Sequence, residues 1–213
     1  LVSPRVVVMA KVPQPGSVKT RLIGALGEAR ACALHQAMLL ATLDIVRQTH
    51  LPCTVALAGD LSNPLTARLR DGGFQVEAQH GANLGERLAH ATRGDTRVVA
   101  VGSDCVCFSP RWLIDATHAA EPISLGPTDD GGYWAIAVQG DAARRAAFTG
   151  IPWSTDAVHR ITLANASAAA LQVHPLPACY DIDRPSDLKR LQQDVRCPPE
   201  IRALLDSWCP TSP

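Results

Sequence analysis

The stretch from Val6 to Leu22 constrains the fold more than any other part of this sequence. It opens with β-branched apolar residues, Val6 to Val8, which predict a strand that is buried on both faces. Prolines and a glycine then break the chain into a loop that ends in the segment Lys19-Thr20-Arg21. Free backbone N–H groups and two fixed cations can hold phosphate, so the stretch predicts either a phosphate site or a solvated basic surface.

The loop follows neither of the two common phosphate-binding motifs. A P-loop has a glycine, four residues and then Gly-Lys-Ser/Thr, whereas here Lys19 comes three residues after Gly16, and Lys11 stands where the first glycine is expected. The glycine-rich fingerprint of dinucleotide-binding folds is also absent from the sequence. The residues therefore predict phosphate binding by a loop that matches neither of these motifs.

Length, charge and hydropathy argue against several classes of protein. The 213 residues suffice for one α/β domain with a full core, and we see no linker between residues 1 and 213. The 20 basic and 20 acidic residues cancel, which argues against a nucleic-acid partner. No apolar run reaches membrane length, and no signal peptide is visible. Seven scattered cysteines, without zinc-site spacing around Cys105 and Cys107, predict reduced thiols in a cytoplasmic protein.

Apolar periodicity predicts helices and strands that alternate along the first half of the chain. That order is typical of a doubly wound parallel sheet with helices on both faces. The predicted helices include 27–49 and 63–70, the latter capped by Asn63. The predicted strands after the first one are Cys53–Ala58, Gly73–Glu77, Arg97–Gly102, Ile123–Gly126, Tyr133–Val138 and Ala170–Leu176.

Acidic residues follow two of the predicted strands at positions where a ligand would bind. Asp104 comes directly after the strand that ends at Gly102, and ligands of open α/β sheets bind outside the carboxyl ends of strands. Since Ser109 already serves as cap of the next helix, Asp104 is predicted to be functional. Asp183 has two interpretations of equal weight, a helix cap or a metal ligand.

Two other segments also have a structural and a functional interpretation. Asp129-Asp130-Gly131-Gly132 can be a hairpin turn, although its two adjacent carboxylates repel each other and need a cation or a donor nearby. Further along, Trp153 is either a core residue or the wall of a pocket, and Ser154 or Thr155 is predicted to cap the helix that follows.

Taken together, the motifs resemble a small bacterial family of GT-A-fold proteins. These proteins are usually described as glycosyltransferases associated with radical-SAM enzymes or arsenosugar biosynthesis, and they are related to the molybdenum-cofactor and phospholactate guanylyltransferases. The resemblance runs from Val6 to about Leu191. The motifs that carry it, in order, are Pro13–Leu22, Gly85-Glu86-Arg87, Gly102-Ser103-Asp104-Cys105, Leu125–Tyr133, Ile151–Thr155 and Tyr180–Pro185.

The resemblance implies a nucleotide-diphospho-sugar transferase fold, with a mixed, mostly parallel sheet flanked by helices on both faces. It implies Mg²⁺ or Mn²⁺ held by Asp104 and Asp183, although the Asp-X-Asp motif of many such glycosyltransferases is missing. The residues implied to bind the nucleotide are Lys11, Pro15, Gly16, Lys19, Thr20, Arg21, Gly85, Glu86 and Arg87. Those implied to line the acceptor side are Asp129, Asp130, Gly131, Gly132, Tyr133 and Trp153.

Three functions are weighed on this basis. The leading hypothesis is transfer of a sugar from a nucleotide-sugar to a small-molecule acceptor, with Lys19 and Arg21 stabilising the leaving diphosphate and Asp130 as the catalytic base. The second is nucleotidyl transfer from a nucleoside triphosphate to a phosphorylated or carboxylated acceptor, which releases pyrophosphate. The third is a non-catalytic nucleotide-binding module. The oligomeric state is left open, with a homodimer as one arrangement.

Overall fold

A seven-stranded sheet organises the chain, which a computed structural model describes over residues 3–208. The strands are β1 (Arg5–Lys11), β2 (Cys53–Ala58), β3 (Gln75–Ala78), β4 (Val98–Gly102), β5 (Ile123–Pro127), β6 (Tyr133–Val138) and β7 (Val173–Pro175). Their order across the sheet is β3-β2-β1-β4-β6-β5-β7. The pairs that β6 makes with β4 and β5 are antiparallel, and the other pairs are parallel. The sheet is therefore mixed and mostly parallel, as the resemblance implies, and not wholly parallel as periodicity alone suggested.

Helices cover both faces of the sheet. Those with buried side chains on one face are α1 (Ile23–Leu26), α2 (Glu28–Arg47), α3 (Pro64–Asp71), α5 (Pro110–His118), α8 (Pro185–Gln193) and α9 (Pro199–Trp208). The other face carries α4 (Leu84–Ala91), α6 (Gly140–Phe148) and α7 (Val158–Ala168). Along β1, Val6 and Val8 belong to the first core and Val7 to the second, and all three are fully buried. This alternation confirms the predicted strand with two buried faces.

Helix α2 is the single helix among residues 3–208 that reaches the length and hydropathy of a membrane span. Half of its most apolar 18-residue window is buried inside the protein. Leu34 and Met38 on this helix have no exposed surface and belong to the core beneath the sheet. Its hydropathy therefore follows from its place in the core.

Several predicted elements are confirmed, some with the predicted bounds and some with shifted ones. The strands Cys53–Ala58 and Tyr133–Val138 have the predicted bounds, and Asn63 caps α3 by accepting a hydrogen bond from the Leu65 N–H. The predicted strand at Gly73–Glu77 starts later, at Gln75, and β7 is only three residues long. The tail contains one helix, as predicted, and residues 209–213 lie outside the described part.

Two helices in the second half depart from the sequence-based expectation. The predicted cap at Ser154 or Thr155 is wrong, since α7 begins at Val158 and its N-cap is Ala157. The Thr155 hydroxyl instead donates to the Pro152 carbonyl, which closes a turn before the helix. Helix α6 has no counterpart in the prediction because its buried residues are mostly alanines, and alanine gives a weak periodic signal.

Candidate functional site

The site is built where the carboxyl ends of β1 and β4 lie side by side. These two strands are parallel neighbours, so the loop after β1 and the residues after β4 emerge at the same edge of the sheet. A third segment joins them there, because the Ile182 N–H donates to the Asp104 carbonyl at 3.0 Å. That single backbone hydrogen bond places Asp183 beside the end of β4, although the two are far apart in sequence.

Lys19 lies between the two predicted metal ligands. Its Nζ is 2.6 Å from Asp104 Oδ1 and 3.0 Å from Asp183 Oδ1, and the lysine side chain is only 3% exposed. The carboxylates are more open, with side-chain exposures of 49% for Asp104 and 39% for Asp183. Arg21 adds a weaker contact, at 3.7 Å from Asp183 Oδ2, and is 67% exposed. The structure thus brings together four residues that were predicted to share a site.

The charges in this cluster, which we call the Lys19 cluster (Lys19, Asp104 and Asp183), stabilise one another. Burial alone lowers the pKa of Lys19, but the two carboxylates outweigh it and the net pKa is raised. Burial likewise raises the pKa of Asp104, but the Lys19 ammonium outweighs it and the net pKa is lowered. At neutral pH the lysine is therefore cationic and Asp104 is anionic.

The backbone around Lys19 is specified by its neighbours on both sides. Val18 and Leu22 are buried and fix the two ends of this segment to the core. Between them Lys19 has a left-handed backbone, with φ 47° and ψ 42°, directly before a 3₁₀ turn at Thr20–Leu22. Earlier in the loop, the Asn63 side-chain amide donates to the Pro13 carbonyl at 3.1 Å. A left-handed non-glycine residue is costly, and such residues cluster at functional sites.

The donor set fits a hard divalent cation of the Mg²⁺ type. No group of three or more His, Cys, Asp or Glu side chains within residues 3–208 is arranged to hold a metal by itself. Mg²⁺ usually binds through one or two carboxylates and takes its other ligands from water and substrate phosphates. Asp104 and Asp183, which meet at one nitrogen, could supply such a pair. The space between their Oδ1 atoms is taken by the Lys19 ammonium.

The structure excludes one of the two interpretations of Asp183, and its role as a metal ligand stays a prediction. The N-cap of α8 is Arg184, so the prediction of Asp183 as helix cap is wrong. The capping oxygen comes from Asp187, which accepts hydrogen bonds from the N–H groups of Asp183 and Arg184 at 3.0 and 2.7 Å. The Asp183 carboxylate is therefore free to face Lys19.

Asp129 and Asp130 lie in the turn that joins β5 to β6. Asp130 Oδ1 accepts hydrogen bonds from the Thr128 hydroxyl at 2.6 Å and from the Gly132 N–H at 3.0 Å. Asp129 pairs with Arg190 at 2.6 Å across the surface. The hairpin interpretation is thus confirmed, and each carboxylate has the donor or cation that its neighbour's charge requires.

Tyr133 and Trp153 pack edge to face, with ring centroids 6.3 Å apart. The Tyr133 hydroxyl is buried and has no hydrogen-bond partner among residues 3–208, and burial raises its pKa. Trp153 also packs against the start of α4, where a Cβ added to Gly85 would lie 2.6 Å from the indole nitrogen. Trp153 is therefore fixed in place between β6 and α4.

Glu86 and Arg87 have local roles in the structure. Glu86 accepts hydrogen bonds from the Ala82 N–H and the Asn83 amide, both at 2.8 Å, and Arg87 donates to the Gly81 carbonyl at 3.1 Å. These bonds shape the loop before α4. Within residues 3–208 neither side chain makes a hydrogen bond or ion pair with the Lys19 cluster. Their nucleotide-binding role stays a prediction.

Two polar residues beside the site had no role in the sequence analysis. Asp181 accepts a hydrogen bond from the Cys105 thiol at 3.0 Å, and burial, together with nearby carboxylates, raises its pKa to about 7. The ring of His35 on α2 lies 2.9 Å from the Lys11 carbonyl through Nε2, and the residue is 4% exposed. A histidine next to an apolar helix stripe was the available signal for this contact.

Several solved structures that share this fold are those of transferases. A protein from Desulfovibrio desulfuricans G20, provisionally named a nucleotide-diphospho-sugar transferase, is 25% identical, with a TM-score of 0.85 over 97% of this chain and 95% of its own. The inositol-1-phosphate CTP transferase from T. maritima is 13% identical, with a TM-score of 0.60 over 96% of each chain. Glucosyl-3-phosphoglycerate synthase from Mycobacterium tuberculosis is 15% identical, with a TM-score of 0.53 over 99% of this chain and 81% of its own.

The fold thus defines a nucleotide-diphospho-sugar transferase-like protein. Residues 41–155, more than half of the chain, match a family described as "Uncharacterized protein conserved in bacteria (DUF2064)", and the chain belongs to that family. No curated protein matches this chain.

Proposed function

We propose that this protein transfers a sugar from a nucleotide-diphospho-sugar to a small-molecule acceptor, with the help of Mg²⁺ or Mn²⁺. The observation that carries this proposal is the meeting of Lys19, Asp104 and Asp183 at the carboxyl edge of the sheet. Ligands of open α/β sheets bind at that edge. The fold is shared with transferases that act on nucleotides or sugars, which supports the same substrate class here.

The loop after β1 would hold the diphosphate. Lys11 ends β1 with an exposed side chain, and Arg21 is exposed two residues after Lys19. Together these cations can surround the phosphate oxygens, whose charge grows as the bond to the sugar breaks. Asp104 and Asp183 would hold the divalent cation, which, when bound, neutralises part of the charge on the leaving diphosphate.

The acceptor would bind beside the turn between β5 and β6. In this proposal the acceptor hydroxyl attacks the sugar carbon, the bond to the diphosphate breaks, and Asp130 takes the hydroxyl proton. Thr128 and Gly132 hold the Asp130 carboxylate in one orientation. Tyr133 and Trp153 would form the wall against which the sugar or the acceptor packs.

Nucleotidyl transfer is the second candidate function. Three cations, Lys11, Lys19 and Arg21, in one short segment suit a nucleoside triphosphate as well as a diphosphate. The same two aspartates would serve, and pyrophosphate would leave. From the resemblance we also propose that this protein is associated with radical-SAM enzymes or arsenosugar biosynthesis.

A ligand screen followed by product analysis tests the proposal. The thermal unfolding midpoint is measured with a panel of nucleotide-sugars and nucleoside triphosphates, each with and without Mn²⁺. At about a hundredfold excess over its dissociation constant, a bound ligand stabilises the fold by about 2.7 kcal/mol. Release of a nucleoside diphosphate supports glycosyl transfer, and release of pyrophosphate supports nucleotidyl transfer. Binding that is insensitive to Mn²⁺ and to Asp104→Asn would contradict both and favour a non-catalytic module.

A further inference from the structure

The position of Lys19 raises a question that the proposed function leaves open. Asp104 and Asp183 would hold the divalent cation, and the lysine Nζ already lies within 3.0 Å of one oxygen of each carboxylate. Two like charges a few ångströms apart repel strongly in a partly buried site. A divalent cation held by the same two carboxylates would therefore compete with the Lys19 ammonium.

We propose that Lys19 holds the place of the divalent cation until the polyphosphate of the nucleotide draws its ammonium away, so that cation and nucleotide bind together. This inference rests on the proposed function and adds a binding order to it. It assigns Lys19 two positions, one between the carboxylates and one on the phosphates.

The surroundings of Lys19 allow this exchange. Val18 and Leu22 are buried, so the backbone on both sides is fixed, and the exchange needs only a change of rotamer in the four-carbon side chain of Lys19, which is 3% exposed in this position. The carboxylates of Asp104 and Asp183 have exposed surface, through which phosphate and cation can reach them. Arg21 does not bridge the two carboxylates, since among residues 3–208 its guanidinium pairs only with Asp183, at 3.7 Å.

The cation site is also short of ligands without a substrate. Within residues 3–208 no third acidic, histidine or cysteine side chain completes a metal-binding group, so a hard cation depends on phosphate oxygens and water. Phosphate thus acts twice in this proposal, by supplying ligands to the cation and by drawing away the competing ammonium. By linkage, the cation must raise nucleotide affinity by the same factor as nucleotide raises cation affinity.

Mn²⁺ titrations of three proteins test the exchange. Free Mn²⁺ is measured by electron paramagnetic resonance with wild type, Lys19→Met and Arg111→Gln, without any phosphate compound. Arg111→Gln is the matched control, since it removes one positive charge from an exposed position on α5, where Arg111 pairs with Asp115 and not with the Lys19 cluster. We expect Lys19→Met to bind Mn²⁺ at least tenfold more tightly than wild type and Arg111→Gln to change the affinity less than threefold. Circular dichroism checks folding, and Lys19→Gln replaces Lys19→Met if the latter does not fold.

A second titration adds pyrophosphate as the polyphosphate probe. The Mn²⁺ that pyrophosphate binds by itself is measured without protein and subtracted. Pyrophosphate should raise the Mn²⁺ affinity of wild type by a larger factor than that of Lys19→Met. Equal Mn²⁺ affinities of wild type and Lys19→Met without pyrophosphate would overturn this inference and leave the proposed function intact. Absence of Mn²⁺ binding to all three proteins, with and without pyrophosphate, would overturn the metal site of the proposed function and this inference with it.

Discussion

Two acidic pairs in this molecule were both predicted to belong to the site, and the structure arranges them differently. Asp104 and Asp183 come from distant segments and converge on Lys19, whose side chain is almost fully buried. Asp129 and Asp130 are adjacent, lie on the exposed turn between β5 and β6, and are bound by Arg190 and by the turn itself. The first arrangement is long-range and the second is largely local.

The difference separates two reasons for placing carboxylates close together. A turn such as that at Asp130 needs its side-chain oxygen to fix the backbone, and hydrogen bonds to Thr128 and Gly132 satisfy that need. Nothing in the local backbone requires Asp104 and Asp183 to meet, and bringing them together costs electrostatic energy that the Lys19 ammonium offsets. The Lys19 cluster is therefore the stronger candidate for function.

Asp104→Asn should show the largest effect. This change keeps the size of the side chain but removes the charge that would hold the divalent cation, so we expect turnover to fall roughly 1,000-fold with the best substrate from the ligand screen. Steady-state release of nucleoside diphosphate or pyrophosphate measures it. Asp115→Asn is the matched control, since that aspartate on α5 has the same side-chain exposure, 49%. Near-normal turnover of Asp104→Asn would place the chemistry elsewhere.

Asp130→Asn tests whether the turn also takes part in the chemistry. Asn keeps the oxygen that accepts from Thr128 and Gly132, so the fold should be preserved, but it cannot take up a proton. If Asp130 is the base, turnover falls roughly 100-fold and its dependence on pH changes. A pH–rate profile and the thermal midpoint separate this from unfolding. Unchanged turnover with an unchanged profile would leave Asp130 a residue of the turn alone.

The sequence predicts more of the turn than of the Lys19 cluster, and the reason is physical. The turn is encoded in neighbouring residues, as is β1, whose β-branched run makes a strand with two buried faces. Position along the chain also placed Asp104 at the end of a strand. The partners of Lys19 depend instead on a mixed sheet order and on the backbone bond between Ile182 and Asp104, and neither leaves a local pattern. Only the resemblance of the whole set of motifs connected Asp104 with Asp183.

Residues with a local role were harder to separate from functional ones. Glu86 matches a motif of the resembling family, yet in the structure it binds Ala82 and Asn83 at the start of α4. A capping residue and a ligand-binding residue have the same chemistry, so spacing cannot distinguish them. The reverse holds for Asp183, where the structure shows that Asp187 does the capping.

Replacing the cation of each region, Lys19 or Arg190, compares how much each contributes to stability. Lys19→Met leaves Asp104 and Asp183 facing each other in a partly buried site, and we expect it to lower the free energy of unfolding by about 1–3 kcal/mol. Arg190→Met removes the exposed partner of Asp129 and should cost less than about 1 kcal/mol. Urea unfolding at pH 7 measures both. A larger loss for Arg190→Met than for Lys19→Met would reverse the ranking of the two regions.

The smallest expected effect is the pH dependence of stability that comes from His35, beside the loop that holds Lys19. Burial lowers the pKa of His35 below its ordinary 6.5, and its contact with the Lys11 carbonyl only partly counters this. The unfolded chain therefore binds a proton more readily than the folded one, so this contribution to stability is present above pH 6.5 and is lost as the pH falls through the lower, folded-state value. Between pH 7.5 and 5.5 wild type should lose more stability in urea unfolding than His35→Gln, by on the order of 1 kcal/mol or less. A matching loss in His35→Gln would show that His35 is not the group that titrates.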